Sequence, residues 1–114
     1  MKIKNTEIDF DLFDADNVEK FEKEAQKVKE KCEKYGKENK SYSQAIREEC
    51  QIIEEFLDNV FGNGISEKIF EGKKNLLEHI NVFQDIVNEK LKKQNDLNNT
   101  FNRYMPNREQ RRWK

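Results

Sequence analysis

Proline occurs once in the 114 residues, histidine once, cysteine twice and glycine four times. So few turn residues exclude a many-turned β-sandwich and favour long regular elements. Cys32 and Cys50 have no CxxC spacing, and each falls near an apolar stripe. That predicts reduced thiols packed as small core residues in a cytoplasmic protein, not a disulfide scaffold. No apolar run approaches the roughly 18 residues of a membrane span. The opening Met1-Lys2-Ile3-Lys4-Asn5 has no apolar stretch of the kind a secretory signal needs. Apolar residues are also scarce, at 34%, while 39% are charged and the mean hydropathy is −1.14. An average globular chain is roughly 45–50% apolar and 25% charged. The length suits one domain with a thin core, and argues against a stand-alone enzyme with a deep pocket.

The charge that is present is unevenly spread. Residues 1–60 carry 11 basic and 16 acidic side chains; residues 61–114 carry 11 and 7. Glu7, Asp9, Asp11, Asp14 and Asp16 form an acidic stretch, whereas Arg103, Arg108, Arg111, Arg112 and Lys114 make the end basic. Such an asymmetry can steer a charged partner or stack copies head to tail, or it can simply keep the chain soluble.

Along the chain, Ile3, Ile8, Phe10 and Leu12 alternate with polar residues, the signal of a half-buried strand. Either one bent strand or a hairpin of Met1–Ile3 with Glu7–Phe10, turning at Lys4-Asn5-Thr6, fits the pattern. Asp14, Asp16 and Asn17 are candidate helix caps. Val18, Phe21, Ala25, Val28, Cys32 and Tyr35 then recur at spacings of three and four, a helical seam that Gly36 ends. Beyond a polar connector, Lys37–Lys40, Ser41 and Gln44 fit a capping box, with Ser43 as a rival cap. The second helix runs to about Phe61 with a wide stripe, so it is expected at the centre, with Ile52 off the main face. Gly62-Asn63-Gly64 stops it. Ser66 is the expected cap of a short helix over 67–71. A third long helix is expected from near Asn75 to about Phe101, with Leu76, Leu77, Ile80, Phe83, Val87 and Leu91 on its buried face and Val82 and Ile86 widening it. The expected fold is mainly α: three long helices and one short helix in a bundle, with a short N-terminal β-strand or hairpin over about 1–13. Residues 1–102 form a single domain and 103–114 a basic, flexible tail.

Few residues suggest chemistry. His79 borders the apolar stripe of its helix with no nucleophile or orienting partner in any motif, so it reads as a surface or boundary residue. Asp9, Asp11, Asp14 and Asp16 fail the EF-hand pattern, because Phe13, Asp14 and Lys20 stand where the loop needs an oxygen ligand, a glycine and a glutamate. Gly72-Lys73-Lys74 follows a helix and lacks the P-loop spacing. Cys32, Cys50 and His79 are too dispersed for a zinc site. No catalytic, cofactor or metal residues are therefore expected. The tail has the composition of a nucleic-acid or acidic-partner segment, and Trp113 could stack on a base. Roughly four net charges would bind nucleic acid only weakly, so a protein partner is favoured. Eight phenylalanines in so polar a chain suggest that some await a partner, and that copies associate.

Three passages carry a resemblance. They are residues 8–22, beginning Ile8-Asp9-Phe10-Asp11-Leu12-Phe13; residues 62–73, with Gly62-Asn63-Gly64 and Ile69-Phe70; and residues 103–112, with Tyr104-Met105-Pro106 and Arg111-Arg112. Together they resemble a family of small tail-region proteins of Firmicute phages and prophages, similar to tail assembly chaperones. The resemblance spans nearly the whole chain. It implies a protein without catalysis, in the cytoplasm of the bacterial host and absent from the mature virion. Such a protein binds the tape-measure protein and brings tail tube protein to it. Phe10, Leu12, Phe13, Ile69 and Phe70 are then the expected self-association or client surfaces, and Arg103, Arg108, Arg111 and Arg112 the flexible contact. The alternatives are a tail completion or adaptor protein retained in the virion, and a small nucleic-acid-binding regulator acting through the basic tail.

Overall fold

A computed structural model describes residues 1–35 and 41–104. Gly36, the 37–40 connector and the tail from 105 onward, with Pro106, Arg108, Arg111, Arg112 and Trp113, lie outside the described residues. The order is β1 (Lys2–Ile3), β2 (Thr6–Glu7), α1 (Ala15–Tyr35), α2 (Tyr42–Phe61), α3 (Ile65–Phe70) and α4 (Leu76–Tyr104). The architecture is mainly helical, three long helices and one short, with an N-terminal hairpin.

The hairpin is shorter than the alternation suggests. Lys2 pairs with Glu7 and Ile3 with Thr6, antiparallel, so Thr6 is in the strand and not the turn. Lys4 supplies the turn with a left-handed backbone, φ +53°. Ile8 still donates to the Met1 carbonyl at 2.7 Å, and the Met1 amine returns a bond to the Ile8 carbonyl at 3.0 Å. Ile3, Ile8 and Leu12 are buried.

Asp14 caps α1, its carboxylate accepting from the Asn17 amide at 3.1 Å. Phe21 and Val28 bury the middle of the α1 seam. Ser41 caps α2 through the Gln44 amide at 3.2 Å. The Gln44 side chain does not complete the box; it donates to Glu48 one turn on. As expected, α2 is central, packing on α1, α3 and α4. That position buries Ile52 as well as the main stripe, because neighbours on several sides leave α2 only a narrow solvated face, with Gln51, Glu55 and Asn59.

Ser66 is not the cap of α3. Gly64, at φ +91°, holds that position, and the carboxylate of Asp58 on α2 takes both the Ser66 amide, at 3.0 Å, and its hydroxyl, at 3.1 Å. Asn75 caps α4 through the Glu78 amide at 3.0 Å. The helix continues three residues beyond the expected end.

The core centres on aromatic edges. Phe56 meets Phe21 at 5.4 Å, Phe83 at 5.0 Å and Phe61 at 6.3 Å between centroids, and Phe61 meets Phe10 at 4.8 Å, all near perpendicular. Edge-to-face pairs of this kind add about 0.5–1.5 kcal/mol each beyond burial. Most of the phenylalanine count is thus spent inside the bundle. No described helix is long and apolar enough to cross a membrane.

Candidate functional site

The largest departure from the expected packing is the rotation of α4. Val82 and Ile86, expected at the margin, are buried, and so is His79, which is 0% exposed. Leu77, Ile80 and Leu91, expected inside, are exposed, Leu77 to 68%. The helix carries two apolar stripes, and the one that faces the bundle includes the histidine.

His79 is accommodated because each ring nitrogen meets an acceptor. Nδ1 donates to the Asn75 carbonyl at 2.8 Å, and Nε2 lies 2.8 Å from Oε2 of Glu54 on α2. Lys74 donates to both Glu54 oxygens at 2.8 Å. Phe70 of α3 lies flat on the imidazole, 3.6 Å between centroids and 7° from parallel. Four segments therefore meet at one buried ring, and both ring nitrogens lie within hydrogen-bond distance of an oxygen. The spacing of His79 with Val82 and Ile86 held the signal for its burial. The partner that makes burial tolerable stands 25 residues away and has no local signature.

The centre of this cluster is closed to solvent. Cys50, one turn before Glu54, is fully buried, and its thiol is held above the ordinary range by burial first and then by the Glu54 charge, with Lys74 opposing. A protonated thiol without access is a poor nucleophile and a poor ligand. Cys32 is raised in the same way, by burial and Glu49. Among the described residues, no group of three His, Cys, Asp or Glu side chains is placed to hold a metal. Elsewhere, burial pushes the Glu24 carboxyl up, but hydrogen bonds from Lys27 and Asn59 and the charges of Lys27 and Lys31 bring it below its ordinary value.

The residues expected at partner surfaces separate. Leu12, Ile69 and Phe70 are buried in the chain's own core, Phe70 by its stack on His79, so they present no surface in the folded chain. Phe10 is half-buried against Phe61. Phe13 is 52% exposed, with Lys93 of α4 5.9 Å from its ring centre. Arg103 is exposed at the end of α4. Leu77, Ile80 and Leu91, expected on the buried face of α4, join Phe13 on the outside, and so does Leu97.

Lys90 donates to Glu22 at 3.1 Å, so the start of α1 lies beside the second half of α4. From Lys93 the helix runs on to Tyr104. Leu97 and Tyr104 are exposed, and Phe101 between them is half-buried. At spacings of four and three, these residues continue the row that His79, Val82 and Ile86 begin.

These features define a small helical bundle in which four segments lock onto one buried histidine and the last helix carries exposed apolar side chains. The chain belongs to DUF6673, a family of unknown function, whose model matches residues 4–114. No curated protein and no solved structure matches the chain.

Proposed function

We propose that this protein is a non-catalytic assembly factor that binds an apolar helical segment of a client protein. The observation that carries this reading is the core-facing row of α4, which runs past the Phe13–Lys93 contact as Leu97, Phe101 and Tyr104. An amphipathic client helix laid there extends the bundle's own packing, with its apolar positions at i, i+3 and i+4 meeting that row. Phe13 lies at the near edge, and Arg103 provides a positive rim for a client with acidic flanks.

The resemblance of residues 8–22, 62–73 and 103–112 to phage tail-region proteins supplies the client. In this proposal it is the tape-measure protein, kept soluble in the cytoplasm of the bacterial host until tail tube subunits are recruited, and the chaperone is absent from the finished particle. Co-expression tests it. The tape-measure protein is expected to move into the soluble fraction with the wild-type chain and to stay insoluble with a Leu97→Asp/Tyr104→Ser variant of unchanged helicity. Equal insolubility with and without the wild-type chain overturns the proposal, as does stoichiometric recovery of the chain from purified particles.

A further inference from the structure

We propose that Asn63 is a site of spontaneous deamidation in the folded protein, and that its isoaspartyl product loosens the seat of α3. Asn63 stands between Gly62 and Gly64 in the link from α2 to α3, and all three residues are exposed. It is the one asparagine of the chain that precedes a glycine.

Asparagine is a thermolabile residue, and two features of this link favour its reaction. The first is steric. Ring closure needs the Gly64 nitrogen to swing onto Cγ of Asn63, and a side chain on the following residue obstructs that approach; glycine has none. A Cβ placed on either Gly62 or Gly64 would meet nothing within 4 Å, so the turn is open on both sides of Asn63. The second is the lack of restraint. Among the described residues, neither the Asn63 side chain nor the Gly64 amide has a hydrogen-bond partner. By contrast, Asn59, Asn81 and Asn88 sit inside helices, whose backbone hydrogen bonds fix the following amide, and Asn75 is held by the Glu78 amide.

The Gly64 nitrogen gives its proton to water or hydroxide and bonds to Asn63 Cγ. The Cγ–Nδ2 bond breaks, and ammonia leaves with a proton taken from water. Water then opens the five-membered imide, so the sum is one water consumed and one ammonia released, with no change of oxidation state. Opening at one carbonyl gives aspartate. Opening at the other gives isoaspartate, whose main chain runs through Cβ and is longer by a methylene. The link is tied too closely to absorb that atom. The Ile65 amide donates to the Gly62 carbonyl at 3.3 Å, across Asn63, and the Asp58 carboxylate holds the Ser66 amide at 3.0 Å and its hydroxyl at 3.1 Å. Lengthening the chain between Gly62 and Ile65 shifts Ile65 and Ser66 from these partners, and with them the buried Ile69 and Phe70.

Incubation of the full chain in mildly alkaline buffer, sampled over days and mapped by mass spectrometry, tests this. Isoaspartate is counted with protein isoaspartyl methyltransferase and labelled S-adenosylmethionine. Asn63 is expected to lose its amide before any other asparagine, at a rate within about tenfold of that in the urea-unfolded chain. A folded chain that keeps Asn63 beyond that margin, or loses another asparagine first, overturns the proposal. Asn63→Gln, which must close a larger ring, is expected to remove the methyl-accepting product, and its persistence in that variant also overturns the proposal. The isoaspartyl form, enriched by chromatography, is expected to unfold at lower urea than the wild type. Asn63→Asp, with the charge but not the extra main-chain atom, is expected to unfold close to the wild type. Equal midpoints for the isoaspartyl form and Asn63→Asp overturn the loosening of α3.

Discussion

At the residue scale, His79 shows how a polar side chain can be a core residue. Its hydrogen bonds to Asn75 and Glu54 and its stack on Phe70 replace what water would offer. Truncation leaves a cavity under Phe70 and removes a partner from a half-buried carboxylate. Cavity formation and loss of a buried polar pair each cost a few kcal/mol in comparable sites. His79→Ala is therefore expected to lower the unfolding free energy by about 2–4 kcal/mol, measured by urea denaturation. A change under about 0.5 kcal/mol would show that the cluster contributes little. The sequence marks where this residue sits on its helix, but not which way that helix faces. Glu54 reads as one more acid on a charged helix until the fold brings it to the imidazole. Likewise Asp58, rather than Ser66, serves as the capping group of α3, because the capping carboxylate comes from the preceding helix.

At the scale of elements, the periodicity is enough to place all four helices within a few residues, whereas the alternation leaves a hairpin and a single bent strand as equal readings, and the structure has the hairpin. Caps explain why: Asp14, Ser41 and Asn75 each stand at the start of a helix and bond the amide three residues on. The orientation of α4 was not legible, since Leu77–Ile80–Leu91 and His79–Val82–Ile86 are rival stripes and the first is the more apolar. The same helix has unequal support along its length. Its first half packs on α2 and the hairpin, whereas beyond Lys93 its apolar side chains are largely exposed. Isolated helical turns are marginal in water. Hydrogen exchange is expected to show strong protection over 79–90 and rapid local exchange over 94–104. Equal protection in the monomer would mean that the second half is held by contacts other than those described.

At the scale of the whole molecule, the acidic stretch near the N-terminus comes close to basic residues in the middle of α4. The acidic stretch 9–16 leads into α1, and α1 runs antiparallel to α4, so this stretch lies beside Lys90–Lys93. The molecule is elongated, 56 × 31 × 21 Å, which gives so lean a core much surface to solvate and long helical faces to offer.

The stacked pair of rings also gives the protein a magnetic signature of its own. There is one histidine in the chain, and its imidazole lies 3.6 Å over the face of Phe70. Aromatic ring current shields nuclei held above a ring, so the carbon-bound imidazole protons are expected upfield of their positions in a free histidine. A proton NMR spectrum then contains a single pair of such signals, without isotopic labelling. They should move downfield when α3 lifts from α4. Imidazole protons at free-histidine shifts in the folded protein would show that the two rings are not stacked.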